Sequence, residues 1–197
     1  MIILLDNGHG GLVDGNYITP GKRSPIWSDG SQLFEGEFNR AIVNRIIEQL
    51  TQLKIPYVNI APEYRDVTLR TRVNRANSYP ANRSIYISVH ANAGGGTGSE
   101  MYTSVGRTRS DGFATIFGEE FESEFPNERL RTDWRDGDLD KEINFYVLKH
   151  TKMPAILTEN FFMDNERECK DYLMTESGRD RIAKYHIKAI ERIVNEF

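Results

Sequence analysis

Three short apolar runs in this chain each stop at a histidine or a glutamate. Ile2-Ile3-Leu4-Leu5 breaks into Asp6-Asn7-Gly8-His9-Gly10-Gly11. Ser84-Ile85-Tyr86-Ile87-Ser88-Val89 breaks into His90-Ala91-Asn92-Ala93-Gly94-Gly95-Gly96, and Ala155-Ile156-Leu157-Thr158 ends at Glu159. Short runs of apolar and β-branched residues bounded by turn signals read as buried strands. The glycines let the backbone turn tightly and approach whatever the histidines hold. In an open α/β sheet, ligands gather at the carboxyl ends of the strands. The pattern therefore predicts a sheet that can deliver His9, His90 and Glu159 to one edge.

Between these runs the apolar period changes to that of helices. Glu35 opens a helix to about Leu53, with Ile42, Ile46, Leu50 and Leu53 on one stripe. Glu35 and Glu37 sit at its start, where the helix dipole favours carboxylates. A second helix is expected over 66–79, with Leu69, Val73 and Ala76 inward and Arg65, Arg70, Arg72 and Arg75 mostly outward. Further helices are expected over 111–125, 166–173 and 177–197, and strands over 55–60, 98–103 (an edge strand) and 143–148. The alternation predicts an α/β fold: a single domain with a twisted, mostly parallel or mixed sheet flanked by helices on both faces. Two stretches have no regular period. Residues 12–34 carry the turn signals Asp14-Gly15, Pro20-Gly21 and Asp29-Gly30, and the cations Lys22 and Arg23; they form either a solvated loop or a substrate-contacting rim. Residues 126–141 are highly charged and read as a surface loop.

The 197 residues suit one domain over 1–197, with no separate second domain expected. A net charge of −4 argues against a nucleic-acid partner held by bulk electrostatics. No apolar run is long enough to span a bilayer, so membrane insertion is not expected. Cys169 is the lone cysteine, beside Glu168 and Lys170, and is read as structural rather than nucleophilic. The first residues lack the basic segment and apolar length of a signal peptide. The expectation is a chain made in the cytoplasm without its own export signal, or a trimmed one. Its oligomeric state is not legible.

Two histidines and a carboxylate are a common ligand set for catalytic zinc, which uses three protein ligands and keeps one position open. Here His9, Glu35 and His90 would be the ligands, and Glu159 the acid/base that moves a proton from water to a leaving nitrogen. The spacing matches no local motif. On residue chemistry alone, ordinary loop histidines and a capping glutamate are the preferred account. His186, mid-helix, reads as a packed structural residue, and His150 as a loop histidine with cleft-lining the alternative.

Leu5-Asp6-Asn7-Gly8-His9-Gly10-Gly11 resembles the opening LDPGHGG motif of the zinc-dependent N-acetylmuramoyl-L-alanine amidases of the Amidase_3 family, the AmiC/CwlC type. The resemblance continues in register. Glu35-Gly36-Glu37-Phe38-Asn39 resembles the glutamate opening the family's first long helix, and Leu69, Arg72 and Ala76-Asn77 its L-x-x-R-x-x-x-A-N helix. Ile87-Ser88-Val89-His90-Ala91-Asn92-Ala93 resembles its S-[IV]-H-x-N-A signature, and Pro154-Ala155-Ile156-Leu157-Thr158-Glu159 the approach to its catalytic glutamate. The resemblance implies one zinc ion held by His9, Glu35 and His90, with Glu159 as the essential glutamate. It implies hydrolysis of the amide between N-acetylmuramic acid and L-alanine in peptidoglycan, at the cell wall.

The chain departs from the family pattern in places. Asn7 stands where the family has proline, and Asn160 where it has glycine; asparagine tolerates left-handed backbone, which is expected at Asn160. Asn92, Asn160, Lys22 and Arg23 are the candidate substrate contacts. Residues 14–34 and 127–141 match no part of the pattern, so stem-peptide specificity is not legible. Without a signal peptide the chain resembles a phage or prophage lysin or an isolated catalytic domain. The competing readings are a zinc peptidase acting on the stem peptide and a non-catalytic wall-fragment binding protein.

Overall fold

A computed structural model describes residues 1–135 and 137–197. Asp136, in the charged stretch 126–141, lies outside the described residues. Six strands form one sheet in the order β4-β1-β5-β8-β6-β7. They are β1 (Ile2–Asp6), β4 (Tyr57–Asn59), β5 (Ser84–Asn92), β6 (Glu100–Thr103), β7 (Lys141–Glu142) and β8 (Ala155–Phe162). The first four in spatial order are parallel, β6 runs antiparallel to β8, and β7 runs parallel to β6. The sheet is therefore mixed. A small hairpin, β2 (Leu12–Val13) and β3 (Asn16–Tyr17), stands apart within the long loop after β1.

The side-chain period of two explains how the sheet is covered. Ile3, Leu5, Ile85, Ile87, Val89 and Ile156 point to one face. There they meet α1 (Glu35–Gln52), α3 (Arg109–Glu124) and α6 (Glu176–Glu196) through Phe38, Ile42, Phe117, Phe121, Ile182 and Ile190. Leu4, Tyr86, Ala155 and Leu157 point to the other face, onto α2 (Leu69–Ala76) and α4 (Tyr146–His150) through Val73, Ala76, Val147 and Leu148. Each fully buried aliphatic or aromatic side chain of this kind contributes about 1.5–3 kcal/mol. A short α5 (Glu166–Glu168) continues as a π turn, Cys169–Leu173, where Cys169 is buried as a structural residue.

Several expected elements are corrected. Residues 143–148 do not form a strand: β7 ends at Glu142 and α4 begins at Tyr146. The run is too short for its period to separate strand from helix, and burying the adjacent Val147 and Leu148 against one neighbour requires a helical turn. β6 is not an edge, because β7 pairs along its outer side. The second helix starts only at Leu69, capped by the Thr68 side chain. Leu69 is consequently in its first turn and exposed, not inward. Arg72, expected to face outward, is fully buried against the sheet. The left-handed residue after Glu159 is Phe161 (φ 57°), not Asn160. Its ring is wedged among Phe121, Phe125 and Tyr172, and its N–H bonds Ser99 Oγ, so packing holds a conformation that phenylalanine disfavours.

Candidate metal centre and catalytic cleft

The loop after β1 and the start of α1 are pressed together by two glycines. A Cβ on Gly36 would lie 1.9 Å from Gly10 O, so only glycine lets the helix start reach the His9 loop. Gly8 takes a left-handed φ of 60°, and a Cβ there would lie 2.3 Å from Asn39 Nδ2 and 2.8 Å from the His90 ring. The open first turn of α1 is completed from the same loop: Gly36 N–H donates to Tyr17 Oη (2.9 Å) and Glu35 N–H to Lys22 O (3.0 Å). Glu35 is thereby carried into the interior beside both histidines.

His9 Nε2 lies 3.2 Å, and His90 Nδ1 2.9 Å, from the same oxygen, Glu35 Oε1. The two imidazoles meet edge to face with centroids 5.0 Å apart. One ligand atom from each of His9, Glu35 and His90 lies within 4.8 Å of the others, and this is the cluster of metal-binding type among the described residues. Three buried atoms here lack a hydrogen-bond partner: His9 Nε2, Glu35 Oε2 and Glu159 Oε2. An unsatisfied buried polar group costs about 1–3 kcal/mol, and a cation between the three side chains would relieve it. The donor set, two imidazole nitrogens and a carboxylate oxygen, suits a divalent transition metal.

Glu159 stands next to His90, its register partner across β5 and β8. Burial, and then the negative charge of Glu35, push its carboxyl well above the usual range, against the opposing charge of Lys22. Burial also acts most strongly on Glu35, but in that case the two imidazoles outweigh it and hold the carboxyl low. Burial lowers His90 and favours its neutral form. The cluster opens into a cleft of about 600 Å³ whose lining includes Lys22 and Glu159, the apolar side chains Leu69, Phe145 and Val147, and the polar Asp6, Arg72 and Ser88.

The structure thus brings His9, Glu35, His90, Glu159 and Lys22 together. The other candidates stand elsewhere. Asn160 is fully buried: its amide donates to His90 O (2.8 Å) and accepts from Tyr185 Oη, so it braces the strand beneath His90 and is withdrawn as a substrate contact. Arg23 lies over the rings of Tyr17 and Phe34 (5.4 and 5.5 Å) and is not part of the cleft wall. Asn92 Nδ2 donates to Glu100 Oε2 at 2.5 Å. His186 is buried with its ring bonded to Thr158 and Ile182, and His150 is exposed against Tyr146. Sequence reasoning missed Asp6, Tyr86, Ser88, Arg72 and Glu100 as members of the site's surroundings. The alternation Tyr86, Ser88, His90 against Ile85, Ile87, Val89 carried the signal, since it puts the polar residues on the face that bears His90.

The fold is shared with N-acetylmuramoyl-L-alanine amidase from Clostridium difficile 630 (TM-score 0.80, 23% identity, 98% of this chain and 96% of that one). N-acetylmuramoyl-L-alanine amidase CwlM of Bacillus licheniformis is 38% identical over 132 residues, covering 66% of this chain and 47% of the relative. The chain thus spans about half the length of that relative. The endolysin of Bacillus phage SPP1 is 28% identical over 200 residues, covering 98% of this chain and 66% of the phage protein. Residues 3–192, which include the whole His9–Glu35–His90 cluster and Glu159, match the family model described as N-acetylmuramoyl-L-alanine amidase, and the chain belongs to that Amidase_3 family.

Proposed function

We propose that this chain hydrolyses the amide between the lactyl group of N-acetylmuramic acid and L-alanine in peptidoglycan, as a cell-wall lytic enzyme of the endolysin kind. The observation that carries this reading is the convergence of His9 Nε2, His90 Nδ1 and Glu35 around one point, with buried atoms left unsatisfied and Glu159 alongside. His9, Glu35 and His90 are the residues that would hold one zinc ion. Zinc bound there would lower the pKa of a water towards ~7 and polarise the lactyl carbonyl. Glu159 takes the proton of the attacking water and passes it to the departing nitrogen of L-alanine; a carboxyl raised by burial is suited to both tasks. Lys22, exposed on the cleft wall, is placed to meet an anionic part of the substrate.

No helix among the described residues is long and apolar enough to cross a membrane. The test is release of new amino termini from purified peptidoglycan by zinc-loaded protein, with and without a chelator, identifying the freed residue. Chelator-sensitive release of N-terminal L-alanine is the expected result. Release of other stem residues would replace the reading by a peptidase, and no release from several wall types would leave a binding role.

A further inference from the structure

One guanidinium meets two carboxylates in the lining of the cleft, and it completes only one of them. Arg72 and Asp6 are 2% and 1% exposed and pair directly through Arg72 Nη1 and Asp6 Oδ1. Tyr86 Oη donates to the other oxygen, Asp6 Oδ2, so both oxygens of that carboxylate are bonded. Arg72 Nε donates to Val67 O at 2.8 Å. A further contact runs from Arg72 Nη2 to Asp66 Oδ1 at 3.3 Å, longer than a strong charge-assisted bond.

Asp66 is the opposite of Asp6: its side chain is 44% exposed and faces solvent in the same cleft. Its second oxygen, Oδ2, accepts from Thr19 Oγ1, again at 3.3 Å, and Thr19 Oγ1 accepts from Gly10 N–H at 3.1 Å. The loop that carries His9 is packed on the same residue, since a Cβ on Gly10 would lie 2.8 Å from Asp66 N. Asp66 is thus fixed beside the metal-binding end of the cleft. Asp6, Asp66 and Arg72 together carry two negative charges and one positive. The closely paired charges are inside, so the surplus negative charge stands on Asp66, the exposed member. A hydroxyl such as Thr19 can donate to a neutral amide as well as to a carboxylate. Tying the loop down therefore does not require that charge. Lys22, also exposed, gives the lining a positive charge as well. The lactyl–alanine amide is neutral and uses neither. The peptide that leaves with L-alanine carries carboxylates, and its diamino acid carries a side-chain ammonium wherever that amine is not cross-linked.

We infer that Asp66 is a specificity-determining residue whose carboxylate receives the free side-chain ammonium of the stem peptide, so that stems with an unacylated amine are preferred. The inference rests on the amidase reading and deepens it. Lys22 suits the carboxylates of the same peptide. A sugar hydroxyl on Asp66 would leave its surplus charge uncompensated, whereas an ammonium cancels it.

The test compares two synthetic stem tripeptides ending in lysine, with the amino terminus acylated as in the substrate. One has a free lysine amine and the other an acetylated one. Their binding to zinc-loaded wild type, Asp66→Asn and Asp66→Glu is measured by calorimetry, and L-alanine release is measured from the muramoyl form of each. For a partly exposed charged pair, wild type should prefer the free amine by about 3–10-fold, and the preference should appear in KM rather than kcat. It should shrink at high salt, vanish in Asp66→Asn and return in Asp66→Glu. The ratio between the two peptides separates recognition from a structural role, because a loosened loop weakens both alike. Wild type that fails to bind the free-amine peptide or binds both equally, or an Asp66→Asn variant that keeps the preference, would overturn the inference. Wild type that prefers the free amine in binding yet frees no L-alanine from either muramoyl form would remove the amidase reading and leave the charge selection standing.

Discussion

Glu35 and Glu100 are both 2% exposed, and both lie near Glu159, yet the protein treats them in opposite ways. Glu100 sits on β6 as the register partner of Glu159, and its carboxylate is surrounded by donors: Asn92 Nδ2 (2.5 Å), Tyr102 Oη (2.8 Å), Arg131 Nε (2.6 Å) and Lys141 Nζ. Burial raises its carboxyl, and Lys141 and Arg131 more than reverse this with permanent charge. Glu35 has two imidazoles on one oxygen and nothing on the other. A buried carboxylate completed by its own chain is structure; one left with an unpartnered oxygen beside two imidazole nitrogens is a place for something the chain does not contain. Glu159 stands between the two, raised by the charge of both.

The sharpest test of this division is at Glu159 itself. Glu159→Gln keeps the shape and removes the proton carrier, so L-alanine release from purified walls should fall by about 10²–10⁴-fold. Zinc stoichiometry and melting temperature should be retained. Unchanged turnover would take Glu159 out of the chemistry and leave the cleft without an acid/base. The next effect concerns Glu35. Zinc at a hundredfold excess over its dissociation constant stabilises a protein by ~2.7 kcal/mol, which for a chain of this size is roughly 5–10 °C of melting temperature. Glu35→Gln should abolish that zinc-dependent rise, as should a chelator on the wild type. A variant with the full rise would place the ligand set elsewhere.

Glu100→Gln is expected to do the reverse. It should leave the zinc-dependent rise in place and lower stability by about 1–3 kcal/mol, because buried donors lose a charged acceptor. Arg131 and Lys141 are partly exposed, so water compensates part of that loss. Urea unfolding of the metal-free variant measures it. If Glu100→Gln instead weakens zinc binding as much as Glu35→Gln, the contrast between a completed and an incomplete carboxylate is lost.

Much of this was legible in the chain. The continuous apolar runs ending at His9, His90 and Glu159 located three strands and their functional ends, because side chains at a strand terminus cannot be far from those of its neighbours. Glu35 was legible as a helix start, but its inward turn depends on Gly36 meeting Gly10, a contact between segments that no local pattern encodes. Arg72 was misread for the same reason. Among the three arginines of a short polar helix, only the partner Asp6, distant in sequence, decides which one is buried. Asn160 was assigned a backbone role that Phe161 takes, since aromatic packing around Phe161 outweighs the intrinsic preference of asparagine. Local pattern fixed where chemistry-bearing residues begin; tertiary contact fixed which of them are completed.

A third buried carboxylate extends the comparison and gives the smallest effect. Asp140 precedes β7, on the Glu100 side of the sheet, and is 1% exposed. Unlike Glu100 it is paired with no cation among the described residues: Thr103 Oγ1 donates to one oxygen, the other has no hydrogen-bond partner there, and Asp138 and Asp111 add negative charge. Burial, with Asp138 and Asp111, pushes its carboxyl up from 3.8 to about 7. The folded protein therefore binds a proton here that the unfolded chain releases at lower pH. That stability is fully present below about pH 4 and is lost as pH rises through about 7. Asp140→Asn keeps an acceptor for Thr103 and removes the titration. Urea unfolding from pH 4 to 8 should show a downward slope in the wild type that is shallower in the variant, while Glu100→Gln, whose carboxyl is held low, should keep the wild-type slope over that range. Equal slopes in wild type and Asp140→Asn would mean that Asp140 is as well compensated as Glu100, and that the lack of a cation beside it has no energetic consequence.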